Sequence, residues 1–264
     1  MTDITSFSNP LVKRIRSLKH KKYRRRENCF WAEGIRAVLE AIELNWDIEM
    51  LVWAPDMLRS DRARQMLDQT PLRQTTVSTA VYHHLTVSEL PQGLGALIRP
   101  PQRDLADYAP GTDGFFVVLE APQDRGNVGA IVRTVDCAGG SGVILIGQAV
   151  DPYDPEALRA SMGSIFSVPV FTSPTPSAFL TWAQIHDLWL VGTSARTDLN
   201  FRQATYRPPL ALLFGNERAG LSTELQDAVN EFVHIPIQGR ASSLNLGAAV
   251  AVMTYQVQLQ HRLA

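Results

Sequence analysis

In the second half of the chain, apolar residues fall in short continuous runs at 115–119, 143–146, 188–191, 210–214 and 232–235, bounded by glycine, proline or polar residues. Runs of that length without alternation suit strands covered on both faces. Stretches of helical character lie between them at 128–138, 155–161, 177–185 and 222–229, with a long final one at 244–260. This order predicts an α/β unit built on a parallel sheet with helices on both faces. The N-terminal part reads as a smaller α/β unit. Within 30–42, Ile35, Val38, Leu39 and Ile42 recur at i, i+3, i+4 and i+7, the spacing of an amphipathic helix. Strand candidates at 48–53, 75–77 and 95–99 and a polar helix at 56–69 follow. The stretch 100–114 is rich in turn formers and poor in apolar residues, and is expected to link domains at 1–104 and 114–264.

Composition narrows the class. With 45% hydrophobic and 8% aromatic residues in 264, the chain can build real cores. No stretch approaches the roughly 20 apolar residues of a membrane span, and no apolar run follows the basic start, so a cytoplasmic location is expected. Cys29 and Cys137 lie far apart with no histidine or cysteine at metal spacing. Buried thiols, and neither a disulfide nor a metal site, are expected. Net charge is −1, but its distribution is uneven. Lys13, Arg14, Arg16, Lys19, Lys21, Lys22, Arg24, Arg25 and Arg26 crowd one stretch that holds no acidic residue, leaving the rest of the chain acidic. Such a patch suits a polyanion, and equally a solvated helix face.

Three segments carry candidate chemistry, each a polar, glycine-bearing turn beside an apolar element. The first is Asn127-Val128-Gly129-Ala130-Ile131-Val132-Arg133-Thr134, where Asn127 is placed to cap a helix that carries Arg133 among small and apolar residues. The second is Phe214-Gly215-Asn216-Glu217-Arg218-Ala219-Gly220-Leu221-Ser222, a loop whose glycines permit close wrapping. The third runs from Ile235-Pro236-Ile237 to Ser242-Ser243-Leu244-Asn245, where a serine is expected to cap the final helix. Singly, each is also explained by a surface arginine, a tight turn or a capped terminal helix. A dinucleotide site is disfavoured, because Gly126-Asn127-Val128-Gly129 lacks the GxGxxG spacing. No GxSxG or HExxH pattern is present.

In content, order and separation the three segments resemble the signature motifs of the SpoU/TrmH family of RNA ribose 2'-O-methyltransferases, in the SPOUT superfamily. The resemblance implies a trefoil-knotted domain over 114–264, a homodimer whose active site draws on both subunits, and S-adenosylmethionine (AdoMet) as cofactor. By motif, it implies catalytic roles for Arg133, Asn127, Glu217, Ser243 and Asn245. Cofactor contacts are implied at Leu213, Phe214, Gly215, Asn216, Gly220, Ile235, Ile237 and Leu244. The final helix departs from many relatives in reading Leu246-Gly247-Ala248-Ala249 where they carry a valine-serine-valine pattern.

The front of the chain resembles the family's L30e-like substrate-binding domain through Ser8-Asn9-Pro10-Leu11-Val12-Lys13, the basic run, Ala32-Glu33-Gly34-Ile35-Arg36 and Gln92-Gly93-Leu94-Gly95-Ala96. It implies RNA contacts by Lys13, Arg14, Lys19, Lys21, Lys22, Arg24, Arg25 and Arg26. Ribosomal RNA is the expected substrate, with transfer RNA, or a non-catalytic RNA-binding role on the same fold, as alternatives.

Overall fold

The computed structural model describes residues 4–194, 196–216 and 218–263. Its elements in chain order are α1 (Pro10–Ser17), α2 (Lys21–Glu27), β1 (Phe30–Glu33), α3 (Ile35–Glu43), β2 (Ile48–Trp53), α4 (Asp61–Gln69), β3 (Gln74–Thr76), α5 (Thr79–Leu85) and β4 (Leu94–Ile98). There follow β5 (Phe115–Glu120), α6 (Arg125–Ala138), β6 (Gly142–Ile146), α7 (Pro155–Ser161), α8 (Ser164–Ser167), β7 (Val170–Ser173), α9 (Pro176–Ile185), β8 (Trp189–Thr193), β9 (Leu210–Phe214), α10 (Thr223–Ala228), β10 (Glu231–Val233) and α11 (Leu246–Leu263). Two compact units divide between Gln102 and Arg103. Tyr153–Ser167 packs into the first, although in sequence it lies between strands of the second.

The first unit is a four-stranded sheet ordered β1-β4-β2-β3, antiparallel except for the β2–β3 pair. Val12, Ile15 and Leu18 around α1 and Val81, Tyr82 and Leu85 of α5 pack with Trp31, Met50, Val52 and Leu97 in one apolar cluster. Residues 30–33 form a strand where periodicity favours a helix beginning at 30. Gly34, with φ of 104°, breaks the chain between β1 and α3. A Cβ on Gly95, opposite Glu33, would sit 2.2 Å from the Trp31 ring, so β1 needs glycine across from it. The segment Tyr153–Ser167 is held to this unit by aromatic packing. The Tyr153 ring stacks on Phe30 at 4.6 Å, and Trp46 Nε1 donates to the Phe166 carbonyl at 3.0 Å.

The second unit is an all-parallel six-stranded sheet ordered β10-β8-β9-β5-β6-β7. Phe116, Val118, Ile144, Ile146, Ala211 and Leu213 face Phe179, Trp182 and Leu225 of α9 and α10. Alternation turns Val117, Leu119, Val143, Leu145, Leu212 and Phe214 to the opposite side, where α6 and α11 pack together and α11 reaches β9. Burial on both faces explains the continuous apolar runs. The turn-rich 100–114 stretch contributes to this unit: Leu105 is buried in its core and the Tyr108 carbonyl accepts from Trp182 Nε1 at 2.8 Å. Strand β7 and helices α5 and α8 are not anticipated by the sequence reading.

Candidate active site

Strands β6 and β7 lie to one side of β5, while β9, β8 and β10 fill the other, so the chain direction across the sheet changes at the β5/β9 boundary. In open parallel sheets the crevice at the carboxyl ends beside such a switch is where ligands bind. The three motif segments leave the sheet at that edge, after β5, β9 and β10. Three strand spacings separate β10 from β5, about 14 Å at 4.8 Å each.

Side chains draw the segments closer still. Asn216 Nδ2 donates to the carbonyl of Ala121, the residue after β5, at 3.1 Å, and Glu120 Oε2 accepts from the Ser222 amide at 2.7 Å. Both bonds tie the second segment to the strand end that leads into the first. Asn245 Nδ2 donates to Asn127 Oδ1 at 3.2 Å, joining the third segment to the first across 118 residues of sequence. The Asn216 amide and Gly220 carbonyl bond at 3.1 Å and the reverse pair at 2.8 Å, closing the second loop on itself. A Cβ on Gly215 would lie 2.0 Å from the Gly220 carbonyl carbon, so the loop accepts only glycine there.

Capping differs from expectation, with a functional consequence. Asp124, not Asn127, caps α6, its Oδ1 accepting from the Asn127 amide at 2.6 Å. Asn127 is inside the first turn, which leaves its side chain available to Asn245. At α11 the cap is Asn245, whose Oδ1 accepts from Gly247 at 2.9 Å and Ala248 at 3.4 Å, and not Ser242 or Ser243. Both serines are exposed in the preceding loop. Arg133 is exposed on α6 and makes no hydrogen bond or ion pair among the described residues. Leu213 and Phe214 are buried strand residues, so only their backbone can meet a ligand. Ile235 is half-buried, whereas Ile237 and Leu244 are 39% and 40% exposed at the site. Glu217 lies outside the described residues. Glu120, Ala121 and Asp124 were not singled out from sequence; an acidic residue ending an apolar run, and an aspartate three before Asn127, were the available signals.

The basic run in the first unit separates into different roles. Lys13, Arg16, Lys21, Lys22, Arg25 and Arg26 are exposed. Arg24 is 5% exposed, and its guanidinium donates to the Leu18 carbonyl at 2.8 Å, the Lys19 carbonyl at 3.0 Å and Asp154 Oδ2 at 3.0 Å. A buried guanidinium committed to these acceptors is no phosphate contact, so Arg24 leaves the RNA-contacting set. Arg14 pairs with Glu49 and Glu27, which raises its own pKa further and holds both carboxyls below their ordinary range. Burial, then the charge of Arg16, lowers the Lys19 pKa. Cys29 is buried, which pushes its thiol up to about 11; Cys137 is exposed on α6, contrary to the expectation of two buried thiols. No helix among the described residues is long and apolar enough to cross a membrane.

Comparison with known proteins agrees with this arrangement. Residues 9–96 match the MRM3-like substrate binding domain. The chain is 32% identical over 250 residues to the 23S rRNA (uridine(2479)-2'-O)-methyltransferase of Streptomyces viridochromogenes, covering 92% of this chain and 87% of that protein. It is 29% identical to the 23S rRNA (guanosine(2553)-2'-O)-methyltransferase RlmP of Bacillus subtilis, covering 98% of this chain and 100% of that one. Among solved structures, the AdoMet-bound rRNA methyltransferase from Sinorhizobium meliloti is 34% identical, with a TM-score of 0.89 over 100% of this chain and 99% of that one. Residues 114–255, which hold all three motif segments, match the SpoU rRNA Methylase family, and the chain belongs to that family.

Proposed function

We propose that this chain is an AdoMet-dependent methyltransferase acting on a ribose 2'-hydroxyl of 23S ribosomal RNA. The observation that carries the reading is the Asn127–Asn245 hydrogen bond, which brings two motif segments together at the switch point of the sheet. AdoMet fits the residues present. The Gly215–Gly220 turn brings bare backbone to the sheet edge, where a Cβ would not fit, and Ile237 and Leu244 of the third segment supply exposed apolar surface. When bound, AdoMet supplies a methyl group on a sulfonium. The rest falls to the protein. A neutral hydroxyl is a poor nucleophile, so its proton must be polarised as the new bond forms. Arg133 has no lone pair to act as a base at neutral pH. Its exposed guanidinium orients the ribose and an adjacent phosphate and stabilises the developing alkoxide. The Asn127–Asn245 bond ties the first turn of α6 to the cap of α11, with Ser243 and Glu217 in supporting roles.

In the first unit, Lys13, Lys21, Lys22, Arg25 and Arg26 grip phosphates, giving affinity without sequence choice. A homodimer is the functional form, with α6 and α11 its interface. Exposed Tyr255 and Leu259 on α11 support that face. The test is to map 2'-O-methyl groups in total RNA from cells with and without this protein. One site lost from 23S rRNA and restored by purified protein with AdoMet is the expected result. A lost transfer RNA site, or no loss, refutes it.

A further inference from the structure

Among the described residues only two Phe, Tyr or Trp side chains are exposed, Phe7 at 51% and Tyr255 at 44%. Tyr255 lies on α11, in the proposed dimer face. Phe7 is in the first unit, at the tip of a turn that is anchored on both sides. Before it, the Ile4 amide donates to the Thr76 carbonyl at 3.0 Å and the Ser78 amide to the Ile4 carbonyl at 3.1 Å. The turn closes with the Asn9 amide on the Ser6 carbonyl at 3.3 Å and the Ser8 amide on Ser6 Oγ at 3.2 Å, and Asn9 then caps α1. A single exposed apolar residue is common. The fixed turn and the neighbours of Phe7 set it apart, because a ring already held in place loses little conformational freedom when a ligand meets it.

The Phe7 ring leans on His84 of α5, with centroids 4.7 Å apart and planes at 44°. His84 Nε2 accepts from Arg16 Nη1, which uses one of the five donors of that guanidinium. Desolvation, then the charges of Arg16 and Lys19, lower the His84 pKa, so the imidazole is neutral at neutral pH and adds a second flat ring. Lys13, three residues before Arg16 on α1, shares its face of the helix, and both are exposed. Arg14 is neutralised by Glu27 and Glu49, but neither Lys13 nor Arg16 has a carboxylate partner among the described residues. An aliphatic side chain would leave these cations unused, and a bare anion would leave the rings unused. A nucleotide offers a π face for the rings and a phosphate for the cations. An acidic peptide bearing an aromatic residue has the same two features, but this family acts on RNA and the basic run continues from the same helix. We propose that Phe7 and His84 form a platform on which one unpaired base of the RNA substrate stacks, its phosphate held by Arg16 and Lys13. The inference rests on the RNA reading above and deepens it. Phosphate contacts position any RNA, whereas stacking requires a base free of its helix and so directs the first unit to a single-stranded region.

The test uses the full-length protein and 23S rRNA purified from cells lacking it. Phe7→Ala should raise KM for RNA about tenfold, within the range for loss of one stacked base. Its AdoMet affinity and melting temperature should stay near wild type, which separates a lost contact from a misfolded protein. Phe7→Trp should hold KM near wild type, whereas Phe7→Leu, apolar but without a flat face, should behave like Phe7→Ala. In the salt dependence of RNA binding, Arg16→Ala should lower the log–log slope by about 0.7–0.9 for its lost phosphate, and Phe7→Ala should leave the slope unchanged. Ultraviolet crosslinking followed by mass spectrometry of the peptides is expected to find a nucleotide adduct on Phe7 of the wild-type protein. Adducts confined to α2, an unchanged RNA KM in Phe7→Ala, or a wild-type RNA KM in Phe7→Leu overturns the platform while leaving the methyltransferase reading intact. Failure of the wild-type protein to bind or methylate this RNA overturns both.

Discussion

Replacing Asn245 with alanine tests the junction on which the site depends. The side chain makes three hydrogen bonds, two to the amides of Gly247 and Ala248 at the start of an 18-residue helix and one to Asn127. Losing an N-cap costs about 1 kcal/mol. The Asn127 bond adds about 0.5–1 kcal/mol, at the lower end because water replaces it at an exposed position. A loss of about 1.5–2 kcal/mol corresponds to a melting point about 4–6 °C lower in a protein of this size. The catalytic effect should exceed the stability effect, because displacement of reacting groups by about 1 Å can cost about 100-fold in rate. Asn245→Ser separates the two. Serine is also a good N-cap but is too short to reach Asn127, so melting should stay near wild type while kcat for methyl incorporation falls at least about tenfold. Differential scanning calorimetry and tritiated methyl transfer at saturating AdoMet provide the two readouts. Full kcat in Asn245→Ser, or unchanged melting in Asn245→Ala, would refute the reasoning.

Four further outcomes are expected. Arg133→Ala should abolish methyl transfer with AdoMet affinity by calorimetry nearly intact, whereas Gly215→Ala, whose new Cβ meets backbone at 2.0 Å, should lose AdoMet binding itself; equal loss of both functions in Arg133→Ala contradicts its role. RNA binding should weaken steeply with salt, and Lys22→Ala should reduce the log–log slope by about 0.7–0.9. Arg24→Ala should instead destabilise the first unit by about 1–3 kcal/mol in urea titration, since it removes the hydrogen bonds to the Leu18 and Lys19 carbonyls and the ion pair with Asp154; a purely salt-linked RNA defect would return Arg24 to the RNA surface. Glu27 and Glu49 have folded pKa values below the ordinary 4.5, so their stabilising effect is complete above that pH and is lost as pH falls through the lower folded values; Glu49→Gln should flatten the acid limb of the stability profile, and an unaltered limb would show that the Arg14 pair contributes nothing.

What the sequence determined by itself was what depends on local pattern. Continuous apolar runs identified strands β5, β6, β8 and β9 because parallel strands buried on both faces tolerate nothing else. The segments bearing Asn127, Gly215 and Asn245 were legible as turns beside those strands, and their order was enough to suggest the family. Where neighbours decide, the pattern was silent or misleading. Phe30–Glu33 fits a helical period and becomes a strand because β4 supplies Gly95 beneath Trp31. Tyr153–Ser167 reads as part of the second unit and folds onto the first, since Phe30, Trp46 and Arg24 offer it ring stacking and a buried charge. Nine cations in one stretch look alike along the chain, and only packing separates Arg24, buried against Asp154, from Lys22 in solvent. The same holds at the site. Asn127 and Asn245 are both plausible helix caps, but Asp124 takes the first cap and so frees Asn127 to meet Asn245. Which of several competent groups makes a hydrogen bond depends on distances that sequence does not encode, and these the tertiary structure alone decided.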